Sequence, residues 1–216
     1  MLYLMNAIHT VSAEIQKKSI DGRLLAKYAQ LEENDIVVDL TSSTDTNIAI
    51  FKDSVAPYGK VIGIIPITVF ATTNVTTRTT GFVSIEFRQG NAEELPLTGS
   101  SAHVITNSQV LNLTHNAEKV FSEIFRILKP GGRSAITAII QYAALSDYLA
   151  AIEKLGFENI QVKQQQAVSL TDLTLNGYLS EQEIVAIPKE TTDLLYLTVY
   201  AEKPGNGMGV QSCVCS

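Results

Sequence analysis

The sequence predicts an α/β fold, a mostly parallel sheet buried between layers of helices, and three observations carry that expectation. Apolar runs of strand length recur along the chain, segments of helical period separate several of them, and glycine and proline stand where one pattern gives way to the other. Alternation of this kind packs helices against both faces of a parallel sheet. Residues 7–30 place Ile8, Val11, Ile15, Leu24, Leu25 and Tyr28 at roughly helical intervals, and Asp21-Gly22 predicts a break between two helices. IVVDL (36–40), KVIGII (60–65), VSIEF (83–87) and AHVIT (102–106) read as four strands. Glu118, Val120, Phe121, Ile124, Phe125 and Leu128 then follow the pattern of an amphipathic helix, which KPGG (129–132) stops. SAITAII (134–140) is the fifth strand. Ser146 is expected to cap the helix DYLAAIEKL, and Gly156 to end it in the left-handed conformation. NIQV (159–162) and LLYLTVYA (194–201) complete seven strands.

A chain of 216 residues fits one domain with small appendages. The expected division is an N-terminal helical segment over 1–33, the main domain over 34–203 and a flexible tail over 204–216, where Gly205, Gly207 and Gly209 leave no apolar period. Hydrophobic residues make up 45% and charged residues 18%, so the chain is expected to fold. Sixteen lysines and arginines stand against 22 acids for a formal charge of −6, which argues against nucleic acid and anionic membrane as partners. The longest nearly apolar stretch, VIGIIPITVFA (61–71), falls short of the ~20 residues of a membrane helix. No basic residue precedes Lys17, as a secretory signal would require, so a cytoplasmic location is expected. The two cysteines, Cys213 and Cys215, both lie in the tail, so no disulfide framework is expected.

VITNSQVLNL (104–113) and KVFSEIFRILKPGGRSAIT (119–137), together with RQGNAEELPL (88–97) and ALSDYLAAIEKLGFENIQV (144–162), resemble class I S-adenosylmethionine (SAM)-dependent methyltransferases, arsenite methyltransferases above all. The resemblance covers roughly residues 34–203. It implies a Rossmann-like seven-stranded sheet of order 3-2-1-4-5-7-6 with helices on both faces, whose last strand, LLYLTVYAEKP, is antiparallel. It also implies that SAM binds at the carboxyl ends of the first strands, where glycines let the backbone approach the methionine part. Here Asp39 keeps the family's acid, but Thr41, Ser43 and Asp45 stand at its glycines, where side chains fill space or strain the turn. Ile65 stands at the acid that takes the ribose hydroxyls, and His103 at another family acid; Asn91 retains polarity on the adenine side. The resemblance further places Gln109 and Ile140 where arsenite methyltransferases have cysteines, so neither position offers a thiolate to trivalent arsenic. The helix expected within PITVFATTNVTTRTT (66–80) is rich in threonine and β-branched residues, which predicts a short, frayed or absent helix.

HExxH, GxSxG and phosphate-binding GxxxxGK motifs are absent from the sequence. Asp39 reads either as an acid holding a ligand amine or as a cap for the following turn, and His103 either as a base or as a surface residue. His9 and His115 read as structural or solvated, while Tyr142, Tyr148 and Tyr178 either line a pocket or pack on the fold. Cys213-Val214-Cys215 can chelate one soft metal or metalloid, can be modified as a precursor segment by other enzymes, or can be incidental. The leading reading is a methyltransferase-fold protein that has lost ordinary SAM binding, needs no cofactor, and serves in binding or scaffolding rather than catalysis. The alternatives are an active SAM-dependent methyltransferase acting on arsenite or a small thiophile, and the folded leader of a peptide precursor.

Overall fold

The computed structural model describes residues 22–40, 46–65, 78–80, 82–108, 117–169 and 193–205. Its elements are α1 (Gly22–Tyr28), β1 (Ile36–Asp39), α2 (Thr46–Val55), β2 (Lys60–Ile65), β3 (Arg78–Thr80), β4 (Val83–Gln89), β5 (Ala102–Ser108), α3 (Ala117–Ile127), β6 (Leu128–Gln141), α4 (Leu145–Lys154), β7 (Glu158–Ser169) and β8 (Asp193–Glu202). The strands form one sheet in the order β3-β4-β2-β1-β5-β6-β8-β7. Counted without the short β3, this is the expected order 3-2-1-4-5-7-6, with β8 antiparallel to both neighbours.

The core lies on both faces of the sheet because adjacent strand residues point to opposite sides. Val37 joins a cluster with Leu25, Ala29, Ile48, Phe51 and Val55 of the α1–α2 layer. Val38 joins the opposite cluster, with Val120, Phe121, Ile124 and Ile152 of the α3–α4 layer. The periodicity read for α3 is fulfilled at Val120, Phe121 and Ile124, which are buried, and Ile127 is buried beside them. Each such side chain contributes about 1.5–3 kcal/mol relative to exposure, as an upper estimate. Glu123 and Arg126 of the same helix tie down the loop after β4. Leu95 N–H donates to Glu123 Oε2 at 2.8 Å, and Arg126 Nη1 donates to Leu97 O at 3.0 Å.

Three expectations are corrected. The eighth strand, Arg78–Thr80, pairs antiparallel with β4 inside the segment where the resemblance placed a helix, as suits consecutive threonines; residues 66–77 lie outside the described residues. Ser146 does not cap α4: Ala144 occupies the N-cap without a side-chain bond, and Ser146 falls in the first turn. The fifth strand opens earlier than SAITAII, since β6 begins at Leu128 and takes in KPGG with Gly131 at φ 77°, while α3 ends at Ile127, just before the stop read there. Gly156 has the expected positive φ, 97°, just past α4. Gly22 opens α1, but Asp21 and the earlier expected helix lie outside the described residues. No described helix is long and apolar enough to cross a membrane.

Candidate functional site

The carboxyl ends of β1, β2, β4 and β5 lie side by side, and their register sets the site. Asp39 is opposite Gly63 on one side and Thr106 on the other, and Gly63 is opposite Phe87. A Cβ on Gly63 would stand 2.7 Å from Phe87 Cδ1, so the phenyl ring occupies the space above that glycine, near Ile48 of α2. Asp39 is fully buried in this row. The Thr106 hydroxyl donates to its Oδ1 at 2.7 Å, whereas Oδ2 has no hydrogen-bond partner among the described residues. Burial pushes the carboxyl up to about 7, against the lesser opposing effect of the Thr106 hydroxyl. Asp39 is therefore enclosed within the sheet and divided between neutral and charged forms near neutral pH.

Ile65 ends β2 with its side chain fully buried, opposite Gln89, and its carbonyl accepts from Gly90 N–H at 3.0 Å. Asn91 is exposed in the next turn, where its Oδ1 accepts from Glu93 N–H at 3.0 Å and its backbone bridges Glu94. Ile140, near the carboxyl end of β6, packs against the α3–α4 cluster. Tyr142 is exposed. Tyr148 packs its ring edge-on to Phe121 at 5.6 Å between centroids, with its hydroxyl buried and without a hydrogen-bond partner among the described residues. That burial raises the Tyr148 phenol above its ordinary range.

His103 opens β5 and so belongs to the opposite edge of the sheet. Its Nδ1 accepts from Ile36 N–H at 3.0 Å, and its Nε2 lies 2.8 Å from Lys129 Nζ. Burial, then the Lys129 ammonium, hold the imidazole below its usual pKa. Asp35, 3.6 Å from the ring, takes Arg133 Nη2 at 2.7 Å. These contacts join β1, β5 and β6 at their amino ends and give His103 a structural position. Thr41, Ser43, Asp45, Gln109, Cys213 and Cys215 lie outside the described residues, as do His9, His115 and Tyr178. Among the described residues no three His, Cys, Asp or Glu side chains gather as a metal site. Sequence reading missed Thr106, Phe87 and the Asp35–Arg133 pair. VITNS carries no local sign that its threonine meets an acid 67 positions earlier.

The ubiE/COQ5 methyltransferase family model matches residues 3–161. The chain belongs to that family. An arsenite methyltransferase of Halobacterium salinarum is 29% identical over 183 residues, covering 74% of this chain and 47% of the relative. A demethylmenaquinone methyltransferase of Lactococcus lactis is 34% identical over 125 residues, 57% of this chain and 49% of the relative. This member of the ubiE/COQ5 family thus spans about half the length of those curated relatives. Among solved structures, the Bacillus subtilis YcgJ protein superposes with a TM-score of 0.64 at 16% identity, covering 85% of this chain and 98% of that one. An arsenic(III) SAM methyltransferase of Chlamydomonas reinhardtii gives 0.60 at 18% identity, covering 82% and 66%. The fold is that of class I SAM-dependent methyltransferases, and arsenite methyltransferases are among the chain's relatives.

The cofactor of this family can be tested against the residues present. A ribose diol at the end of β2 needs an acceptor, and Ile65 offers only buried alkyl surface. At the methionine end Asp39 retains an unused oxygen, but within a fully buried carboxyl. Ile65 itself supplies no acceptor for a ribose diol.

Proposed function

We propose that this methyltransferase-fold protein has lost ordinary SAM binding and acts as a binding or scaffold protein. The observation that carries the reading is Ile65, an apolar side chain fully buried where the family's ribose acid stands. Two hydroxyls left without their acceptor cost roughly 1–3 kcal/mol per unmatched polar group. Thr41, Ser43 and Asp45 support the same reading, since three of the expected glycines are replaced together with the acid.

A calorimetric titration with SAM tests it, and the expected result is no binding at micromolar concentrations. Micromolar affinity overturns the proposal and favours an active SAM-dependent methyltransferase. Membership of a methyltransferase family supports that second reading. Its substrate would be arsenite or a small thiophile, with Cys213 and Cys215 as soft donors. A repair variant extends the test. Changing Thr41, Ser43 and Asp45 to Gly and Ile65 to Asp is expected to create measurable SAM affinity in a folded protein, whereas the three glycines alone leave the ribose unmatched. Failure of the fourfold variant would place the obstruction elsewhere in the chain.

A further inference from the structure

A groove of about 630 Å3 opens between α4 and the start of β7. Leu149, Ala150, Phe157 and Ile160 supply its apolar lining, Glu153 and Glu158 its charge, and among the described residues no lysine or arginine lines it. The strand beside it is an edge: among the described residues β7 has β8 on one side and no strand on the other. The apolar surface continues along that edge. Val162 is 38% exposed and is the register partner of Val199, which belongs to the same cluster that Ile160 packs against. An edge strand beside a helix-walled groove suits an added strand, whose backbone pairs with the sheet while alternate side chains enter the groove.

We propose that this groove docks an extended segment of a partner protein that carries apolar residues alternating with basic ones. The charges favour that occupant. Glu153 and Glu158 both stand exposed at the groove, so a lysine or arginine on either side of the buried apolar residue meets an acid. A second copy of this chain brings a net charge of −6 toward the same acids, and residues 206–216 contain no lysine or arginine. The inference does not rest on the cofactor reading, and its experiment reads a different signal from a SAM titration.

The test measures fluorescence anisotropy of labelled (Lys-Val)4 on the full-length protein, with (Glu-Val)4 and (Lys-Gly)4 as comparisons. Binding is expected for (Lys-Val)4 and at least about tenfold weaker for the other two. Glu153→Gln with Glu158→Gln is expected to weaken (Lys-Val)4 by about three- to tenfold. Ala150→Trp fills the groove from an exposed helix position and is expected to abolish binding while the melting temperature stays unchanged. No binding of (Lys-Val)4, equal binding of (Lys-Gly)4, or indifference to Ala150→Trp overturns the proposal. So does a dimer in sedimentation equilibrium that Ala150→Trp dissociates, because the occupant would then be a second copy.

Discussion

Asp39 shows how one buried side chain shapes the pH response of the whole fold. Its carboxyl titrates near 7 in the folded chain against an ordinary value of 3.8, so between those values the folded state holds a proton that the unfolded state has released. The stability this protonation contributes is complete below about 4 and is lost as pH rises through 7. Asp39→Asn mimics the neutral form. It is expected to flatten the fall between about pH 4 and 7 and to raise stability at pH 8 by on the order of a few kcal/mol, read from urea midpoints. His103 acts with the opposite sign: its lowered pKa means that stability falls as pH drops through about 6.5, a slope that Asp39→Asn leaves in place. Gly63 tests the same row by sterics. Gly63→Ala drives a methyl against the Phe87 ring, with an expected loss of about 1–3 kcal/mol, and Phe87→Leu in the same chain should recover part of it. The acid and the glycine were visible in the sequence, but their neighbours Thr106 and Phe87 were not. Register between distant strands decides who faces whom, and no local pattern records it.

At the scale of elements, periodicity located the described strands of the main domain except β3 and the helices α3 and α4, but not α2 (Thr46–Val55), while the ends depended on contacts made elsewhere. The last strand was read as ending at Ala201, yet β8 runs to Glu202 and the chain stays anchored beyond it. Lys203 N–H donates to Gly132 O at 2.8 Å, and Gly131 N–H reaches Lys203 O at 3.0 Å and Pro204 O at 3.3 Å. Lys203 Nζ also donates to Phe125 O and Leu128 O, each at 2.8 Å, and caps the carboxyl end of α3 with a cation. Deleting 206–216 is therefore expected to leave the melting temperature nearly unchanged. Lys203→Ala should cost about 1–2 kcal/mol, or roughly 2–8 °C by differential scanning calorimetry. A large drop on that deletion would show that the tail packs on the fold. Ser146 illustrates the other kind of miss: serine, aspartate and a helical run predict a cap there, but α4 begins two residues earlier than read, at Leu145 with Ala144 as its cap.

For the whole molecule, strand–helix alternation was enough to read the α/β class, and the LKPGG, AEELPL and VLNL segments carried the family and hence the strand order. Neither could show that polar contacts collect at the amino edge of the sheet. There Arg133 donates to Ala29 O at 3.0 Å and to Asp35, and Tyr200 donates to Glu202, which also takes Asn159 Nδ2 at 2.9 Å. These partners come from segments up to 104 residues apart. The strand order has a further consequence for a chain made from its amino end. Among the described residues β7 meets the sheet only through β8, since β8 lies between β6 and β7. A nascent chain that has released residue 169 already carries β1 to β6, yet its Gln-rich seventh strand has no neighbour to join until residues 193–202 leave the ribosome. Synthesis halted before residue 193 is thus expected to yield a product whose 158–169 segment is cut by protease at low dose, while β1, β2, β4, β5 and β6 stay protected. Equal protection of that segment in the halted and full-length products would show that β7 finds another neighbour.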